Sequence, residues 1–600
     1  MKKITLIIFS LLIIFSTFCY GQKNRLIFPK QVTNAAEKSN DILEKGSAYV
    51  SVDFVEINLE ILPNYEEFII QFGEKNISVV KERIIVRDIN NFSFVASNNE
   101  YCRILISVLD GDIQGVIETM DAVFSVKTIG ANEYAIVKVD QSKICEECEE
   151  LIDENNSSKF IDDEIPDKKF ENDSTISYPI KNTAKVYECK LRVLVLCTTD
   201  ALSHASNIKN MLWLAVDLTN QSFINSNIDY EIELVYSGVT KYGPSCETGG
   251  MLRKLIAPDD GFFDEIHTLR DTYSADICVL LYYCAEDCGM VPGFGVSADS
   301  AFCVVNINND CLTTNYSLGH EIGHLLGCRH QLEADPRLYP FEYGHGYVHP
   351  EKKWRTIMAI PTQTDTCLRI QYWSNPNLFY NGDPMGTEER YNSARVWNEQ
   401  SNYVMTFRQP KDTLIITKNE ILHDSEGDII AKQDIITNGT VNITNEGNIN
   451  MRAGNAITFF PGFSSHSGSV LSAKIEEIFD CGETPEPPRI LIQSMLDDKG
   501  ETDEVLINGN IKIFDFTYKV FPNPSQEWIN IQYSLITETQ LDINLVNFLG
   551  QRVKSILPKQ KQLSGSYELQ IPVTDLAKGT YFLTIISANQ KNVEKIIITE

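Results

Sequence analysis

Histidine is scarce in this chain, nine residues in 600, so a cluster of histidines carries information. Basic charge is also short. Lys and Arg number 52 against 82 Asp and Glu, giving a formal net charge of −30. Nucleic acid and anionic membrane surfaces both demand a basic footprint, and this balance argues against either as a partner. Beyond the first twenty residues no apolar run reaches the ~18 residues that a membrane helix needs. Hydrophobicity itself is not lacking. At 43% apolar and 10% aromatic residues, a wholly disordered chain is excluded. The length exceeds what one hydrophobic core fills, so several domains are expected.

Met1-Lys2-Lys3 followed by the apolar run Ile4 to Phe18 and the small, polar Ser16 to Gln22 predicts a secretory signal peptide over residues 1–22. Bulky Phe18 fits poorly with lipidation of Cys19. Of the fifteen cysteines, ten fall between Cys189 and Cys367. In an exported protein that density predicts disulfides, with some thiols serving as buried apolar groups.

The pattern along the chain changes several times. Residues 23 to about 140 alternate strand-like runs with polar turns, and Asp110-Gly111 between Val108 and Ile113 is a hairpin signal. From Glu146 to Asp173 the chain is acidic and poor in apolar residues, which predicts an accessible linker. Order resumes at Cys189 to Leu196, a buried-strand run. A helical pattern follows through Ile208, Met211, Leu212, Ala215 and Leu218, then strands near Ile228–Val235 and Ala275–Leu281. That alternation predicts an α/β layer fold. After Pro410 short β runs with Asn/Gly turns suggest coiled or stacked strands over 411–482, and Pro485, Pro487 and Pro488 mark a linker over 483–517. The final block alternates cleanly and predicts a small β-sandwich.

The chemistry concentrates in His320-Glu321-Ile322-Gly323-His324-Leu325-Leu326-Gly327-Cys328-Arg329-His330. On a helix His320 and His324 sit one turn apart on one face, so both imidazoles can reach one metal. Leu318, Ile322 and Leu325 would anchor the other faces, Thr313 or Thr314 offers an N-cap, and Gly327 stops the helix. The reversed chain can then return His330 as a third ligand. Three histidines plus water make a catalytic zinc site with an open position. Glu321, next to the first ligand, is placed to act as general base on the zinc-bound water.

This string resembles the metzincin zinc endopeptidases, whose pattern is HExxHxxGxxH. Trp354-Arg355-Thr356-Ile357-Met358-Ala359-Ile360 supplies Met358 as the methionine turn of that clan. Leu269 to Asp276 entering a strand, Cys288-Gly289, and Ser374-Asn375-Pro376 before a helix near Tyr391 to Phe407 resemble the adamalysin/reprolysin branch. Ile360 stands where some metzincins use a tyrosine, so no tyrosine ligand is proposed, and His345 and His349 are read as structural. The resemblance implies a secreted zinc endopeptidase with one catalytic Zn2+; structural Ca2+ is compatible with it but is not shown by the sequence. It also implies a zymogen, for which Cys145 and Cys148 are candidate zinc ligands, although a disulfide reads at least as well.

Val520-Phe521-Pro522-Asn523-Pro524-Ser525, Asn547-Phe548-Leu549-Gly550-Gln551 and Gly579-Thr580-Tyr581 resemble the sorting domain of the Bacteroidota type IX secretion system. That resemblance implies passage through the periplasm and over the outer membrane, with the secretion machinery as a partner beside protein or peptide substrates. The expected architecture is multidomain: signal peptide 1–22, β-rich propeptide-like domain with acidic linker 23–185, α/β metzincin catalytic domain 186–410, β-rich region 411–482, linker 483–517, and sorting domain 518–600 as an Ig-like β-sandwich. The competing reading is an inactive surface binding or adhesion protein on the same scaffold. The intact set of His320, Glu321, His324, His330 and Met358 argues against it.

Overall fold

In the computed structural model the described residues run from Asn24 to Ile144, from Lys190 to Ile478 and from Phe516 to Thr599, each with short stretches left out. The predicted signal peptide, Cys145, Cys148, the acidic linker and most of the Pro-bearing linker lie outside the described residues. Among the described residues no helix is long and apolar enough to cross a membrane.

Nine strands between Arg25 and Val139 form a closed barrel. The predicted hairpin is there. Asp110 and Gly111 take φ of 51° and 83°, joining Cys102–Leu109 to Asp112–Thr119. This is the turn that the strands' right-handed twist favours. Closure comes from Arg25–Pro29, which pairs antiparallel with Tyr49–Ile57 and parallel with Glu67–Phe72.

The α/β part is built on β1 (Leu191–Cys197), helix α1 (Ile208–Asn225), β2 (Ile232–Val239), β3 (Ile277–Tyr282), the short β4 (Gly289–Met290) and β5 (Phe302–Asn306). Their order in the sheet is β4-β5-β3-β1-β2, all parallel except the antiparallel edge strand β4. Every side chain of β1, β3 and β5 is buried, as expected for strands covered on both faces. One face packs on α1, on α2 (Ser317–Leu326) and on α3 (Ser393–Val404); the other lies under two short helices at 248–256 and 265–272.

Strands beyond residue 410 join this sheet. Strand β6 (Glu426–Thr437) pairs antiparallel with β2 at Tyr236–Gly427 and Ser237–Glu426, then parallel with Asn448–Ala453, which pairs with Val470–Ile475. Ile429, Ile435, Ile449 and Met451 share a buried cluster with Leu194 and Leu280. The coil of short parallel strands is thus continuous with the α/β core.

Residues 516–599 make up most of a second compact unit. A three-stranded and a four-stranded antiparallel sheet share one buried cluster that includes Ile529, Ile531, Leu541, Ile543, Leu583 and Ile596.

The cysteine expectation divides in two. Cys288 is bonded to Cys311, and Cys284 is also disulfide-bonded. Cys102, Cys197, Cys278, Cys303 and Cys328 are buried thiols, the apolar role that strand burial gives them.

Candidate metal centre and catalytic site

Helix α2 is buried on every side. Leu318 and Ile322 are fully buried, as the pattern requires. Its start differs from expectation. Tyr316, in the left-handed region at φ 58°, precedes the first turn, and no side chain caps it. The Thr313 and Thr314 hydroxyls instead bond the carbonyl of Asp310. Its end is as predicted: Gly327 has φ 112°, where a Cβ is strained, and its N–H returns to Gly323 and His324 carbonyls.

That reversal brings His330 back to the helix. Its Nε2 lies 3.2 Å from His320 Nε2 and 3.1 Å from His324 Nε2. Among the described residues these three histidines are the one cluster of three or more ligand-type groups close enough to share an ion. Zinc–nitrogen bonds of about 2.05 Å at tetrahedral angles would hold the nitrogens about 3.3 Å apart, so the spacing fits a three-nitrogen zinc site. Outer bonds fix the rings. His320 Nδ1 donates to the Ile357 carbonyl at 2.9 Å, and His324 Nδ1 donates to the Cys328 carbonyl at 2.8 Å. Both bonds place the proton on Nδ1 and leave Nε2 with a lone pair toward the common centre.

Glu321 is 2% exposed. The edge strand β4 passes close to its carboxylate, because a Cβ at Gly289 would lie 2.5 Å from Glu321 Oε1. Only glycine lets that backbone approach. Met358 is fully buried beneath the helix, and a Cβ at Gly323 would meet its Sδ at 3.0 Å and Trp373 at 2.8 Å. The turn bearing Met358 also supplies the Ile357 carbonyl that orients His320.

His345 and His349 stand apart from the triad. His345 Nδ1 donates to the His330 carbonyl at 2.7 Å, and His349 Nε2 lies 3.1 Å from Asp383. Ile360 offers its backbone rather than a ligand, since Gln331 accepts from its N–H at 2.9 Å and donates to its carbonyl at 2.8 Å. Gln331 holds the turn to the segment carrying His330, yet no motif marks it. Arg369 escapes the sequence for the same reason. Its guanidinium is fully buried and donates to the carbonyls of Ala359 at 2.9 Å and Asn315 at 2.8 Å, joining the methionine turn to the approach of α2.

Residues 188–374 match the model of metallo-peptidase family M12, and residues 519–599 match that of a secretion system C-terminal sorting domain. A peptidyl-Asp metalloendopeptidase of Stenotrophomonas maltophilia is 35% identical over 309 residues, 51% of this chain and 70% of that protein. The chain belongs to metallo-peptidase family M12. A second relative, the peptidyl-Asp metalloendopeptidase of Xanthomonas campestris pv. campestris, is 32% identical over 308 residues, 50% of this chain and 69% of that protein.

The M12 protein is therefore a zinc metalloendopeptidase, and proteins are its substrates. Its C-terminal sorting domain directs it across the outer membrane to a secreted or cell-surface location. The architecture is multidomain, an M12 catalytic domain with a β-rich C-terminal region.

Proposed function

We propose that His320, His324 and His330 hold one zinc ion and that Glu321 is the general base for hydrolysis of peptide bonds in extracellular proteins. The observation that carries this is the approach of His330 Nε2 to His320 Nε2 at 3.2 Å and to His324 Nε2 at 3.1 Å, beside the buried Glu321 on the helix that bears the first two. A zinc ion bound there supplies Lewis acidity that polarises the scissile carbonyl and makes water easier to deprotonate. Glu321 takes the proton from the attacking water and passes it to the leaving amine. Met358 packs under the helix and, through Ile357, keeps His320 in the ligating tautomer.

Both relatives carry the name peptidyl-Asp metalloendopeptidase, and we take the same preference, cleavage at aspartate, as the specificity of this chain. The test is a mixed peptide library digested by purified enzyme with and without a chelator. Cuts clustered at aspartate and lost with the chelator support the reading. Chelator-resistant cleavage overturns the zinc assignment, and cuts indifferent to aspartate overturn the specificity.

The N-terminal region, residues 23–185, is read as a zymogen segment opened by a cut in the acidic linker. Its last described residue, Ile144, packs in one small cluster with Cys288 and Cys311. Cys145 and Cys148, which follow Ile144 in the sequence, are the proposed zymogen zinc ligands. The signal peptide at 1–22 and an Ig-like arrangement of the tail complete this reading.

A further inference from the structure

A discarded prosegment would be expected to touch the enzyme over a face that is complete without it. The barrel does not. Leu105, Val116 and Val123 of the barrel join the same buried cluster as Leu318, Ile322 and Leu325 of the active-site helix. Two buried carboxylates of the α/β part find cations in the barrel. Asp217 on α1 pairs with Arg87 and accepts from Ser93, while Asp310 pairs with Lys127 at 2.8 Å. Removing those cations would leave buried charge uncompensated.

Two further barrel side chains reach the frame of the metal centre. Gln141, 5% exposed, donates from Nε2 to the Thr314 carbonyl at 2.7 Å and accepts the Arg369 N–H on Oε1 at 2.8 Å. Glu118, also 5% exposed, accepts on one oxygen both the Tyr316 hydroxyl at 3.0 Å and the Gln371 N–H at 3.2 Å. Thr314 and Tyr316 lead directly into α2, and Arg369 and Gln371 follow the methionine turn. The two side chains thus bridge the strand after the turn to the entry of the helix that bears His320 and Glu321. A small cavity lined by Arg103, Glu118, Gln221, Tyr316 and Gln371 lies at this junction.

We propose that Glu118 and Gln141 are positioning residues of the zinc site, and that the barrel stays docked as a lasting part of the enzyme after any cut in residues 145–189. The proposal rests on the assignment of the histidine triad. It limits inhibition to the linker segment, because the barrel itself supports the geometry that catalysis uses. Loss of either bridge should loosen the helix entry relative to the methionine turn. Turnover and metal affinity then suffer, while substrate binding at the rim is spared.

The test begins with the full chain cut once in the linker and passed through gel filtration. Barrel and catalytic fragments should co-elute with activity. In the same cut enzyme E118L should lower kcat by about tenfold with KM within about twofold, and should weaken zinc in chelator competition by about tenfold, the scale seen when outer-shell partners of a metal site are lost. E118Q should restore both, because its amide oxygen can accept the same two bonds. Q141E, which keeps the acceptor for Arg369 but loses the donor to Thr314, should lower kcat as E118L does and decides the matter if E118L does not fold. Fragments that separate, leaving a catalytic piece of full kcat and metal affinity, overturn the proposal. So does wild-type behaviour of both E118L and Q141E. Wild-type enzyme that holds no zinc and keeps its activity in chelator would instead overturn the triad reading beneath it.

Discussion

At the scale of single residues, the histidine cluster was the most legible part of the chain, because a zinc site would fix both residue type and spacing. His320 and His324 meet through helix periodicity, and Gly327 allows the turn that returns His330. What surrounds them was not legible. Gln331, Arg369, Glu118 and Gln141 act through backbone groups distant in sequence, and a glutamine beside a carbonyl has no spacing rule. The division of labour on α2 gives a direct expectation. Glu321 contributes no ligand atom to the triad, so Glu321→Ala should abolish peptide hydrolysis while zinc stays near one per chain. Metal analysis beside a peptidase assay checks this, and loss of zinc from that variant contradicts the assignment of Glu321 as base alone. Gly323 should be equally sensitive for a steric reason. Gly323→Ala places a methyl 2.8 Å from Trp373 and 3.0 Å from Met358 Sδ. Overpacking of this kind costs about 1–3 kcal/mol, and a lower melting temperature with weaker zinc retention should register it.

At the scale of elements, strands buried on both faces and the amphipathic helices announced themselves, and the observed β1, β3, α1 and α2 fall where the patterns put them. The barrel's closure and the junction of β2 with β6 did not, because strand pairing between distant segments leaves no trace in a local pattern. The N-cap of α2 also differed: Thr313 and Thr314 spend their hydroxyls on Asp310, and the helix instead begins in a buried left-handed turn at Tyr316. Asp276, at the entry to β3, shows what burial of an element costs. It accepts N–H bonds from Arg192 at 3.0 Å and Arg408 at 3.3 Å, yet burial pushes its carboxyl up from 3.8 to about 7. Between those values the folded chain holds a proton that the unfolded chain has lost. The stability tied to the neutral carboxyl is therefore full below about pH 4 and declines as pH rises to about 7, then levels. Urea denaturation across pH 4 to 8 should show this fall, and Asp276→Asn should flatten it. A slope unchanged in the variant would assign the effect to another group.

At the scale of the whole molecule, the chain combines an enzyme with an address, and the two should be separable. The address was legible only as a resemblance, since turn signals in alternating strands describe many β-sheets and the decisive likeness is to a family of sorting domains. Residues 516–599 close their own core around Ile529, Ile543, Leu583 and Ile596, and they contribute no group to the histidine triad. A domain with its own core can be removed without opening its neighbour. Deleting residues 519–600 should therefore leave His320, His324 and His330 assembled with zinc bound, and should strand the enzyme in the periplasm. Cells expressing the truncated chain are fractionated, and zinc content and peptidase activity are measured in periplasm and medium. Active enzyme in the medium contradicts the export role of the tail, because the chain would then cross the outer membrane without it. Insoluble, zinc-free protein in the cell contradicts the independence of the two cores and makes the tail a structural partner of the peptidase.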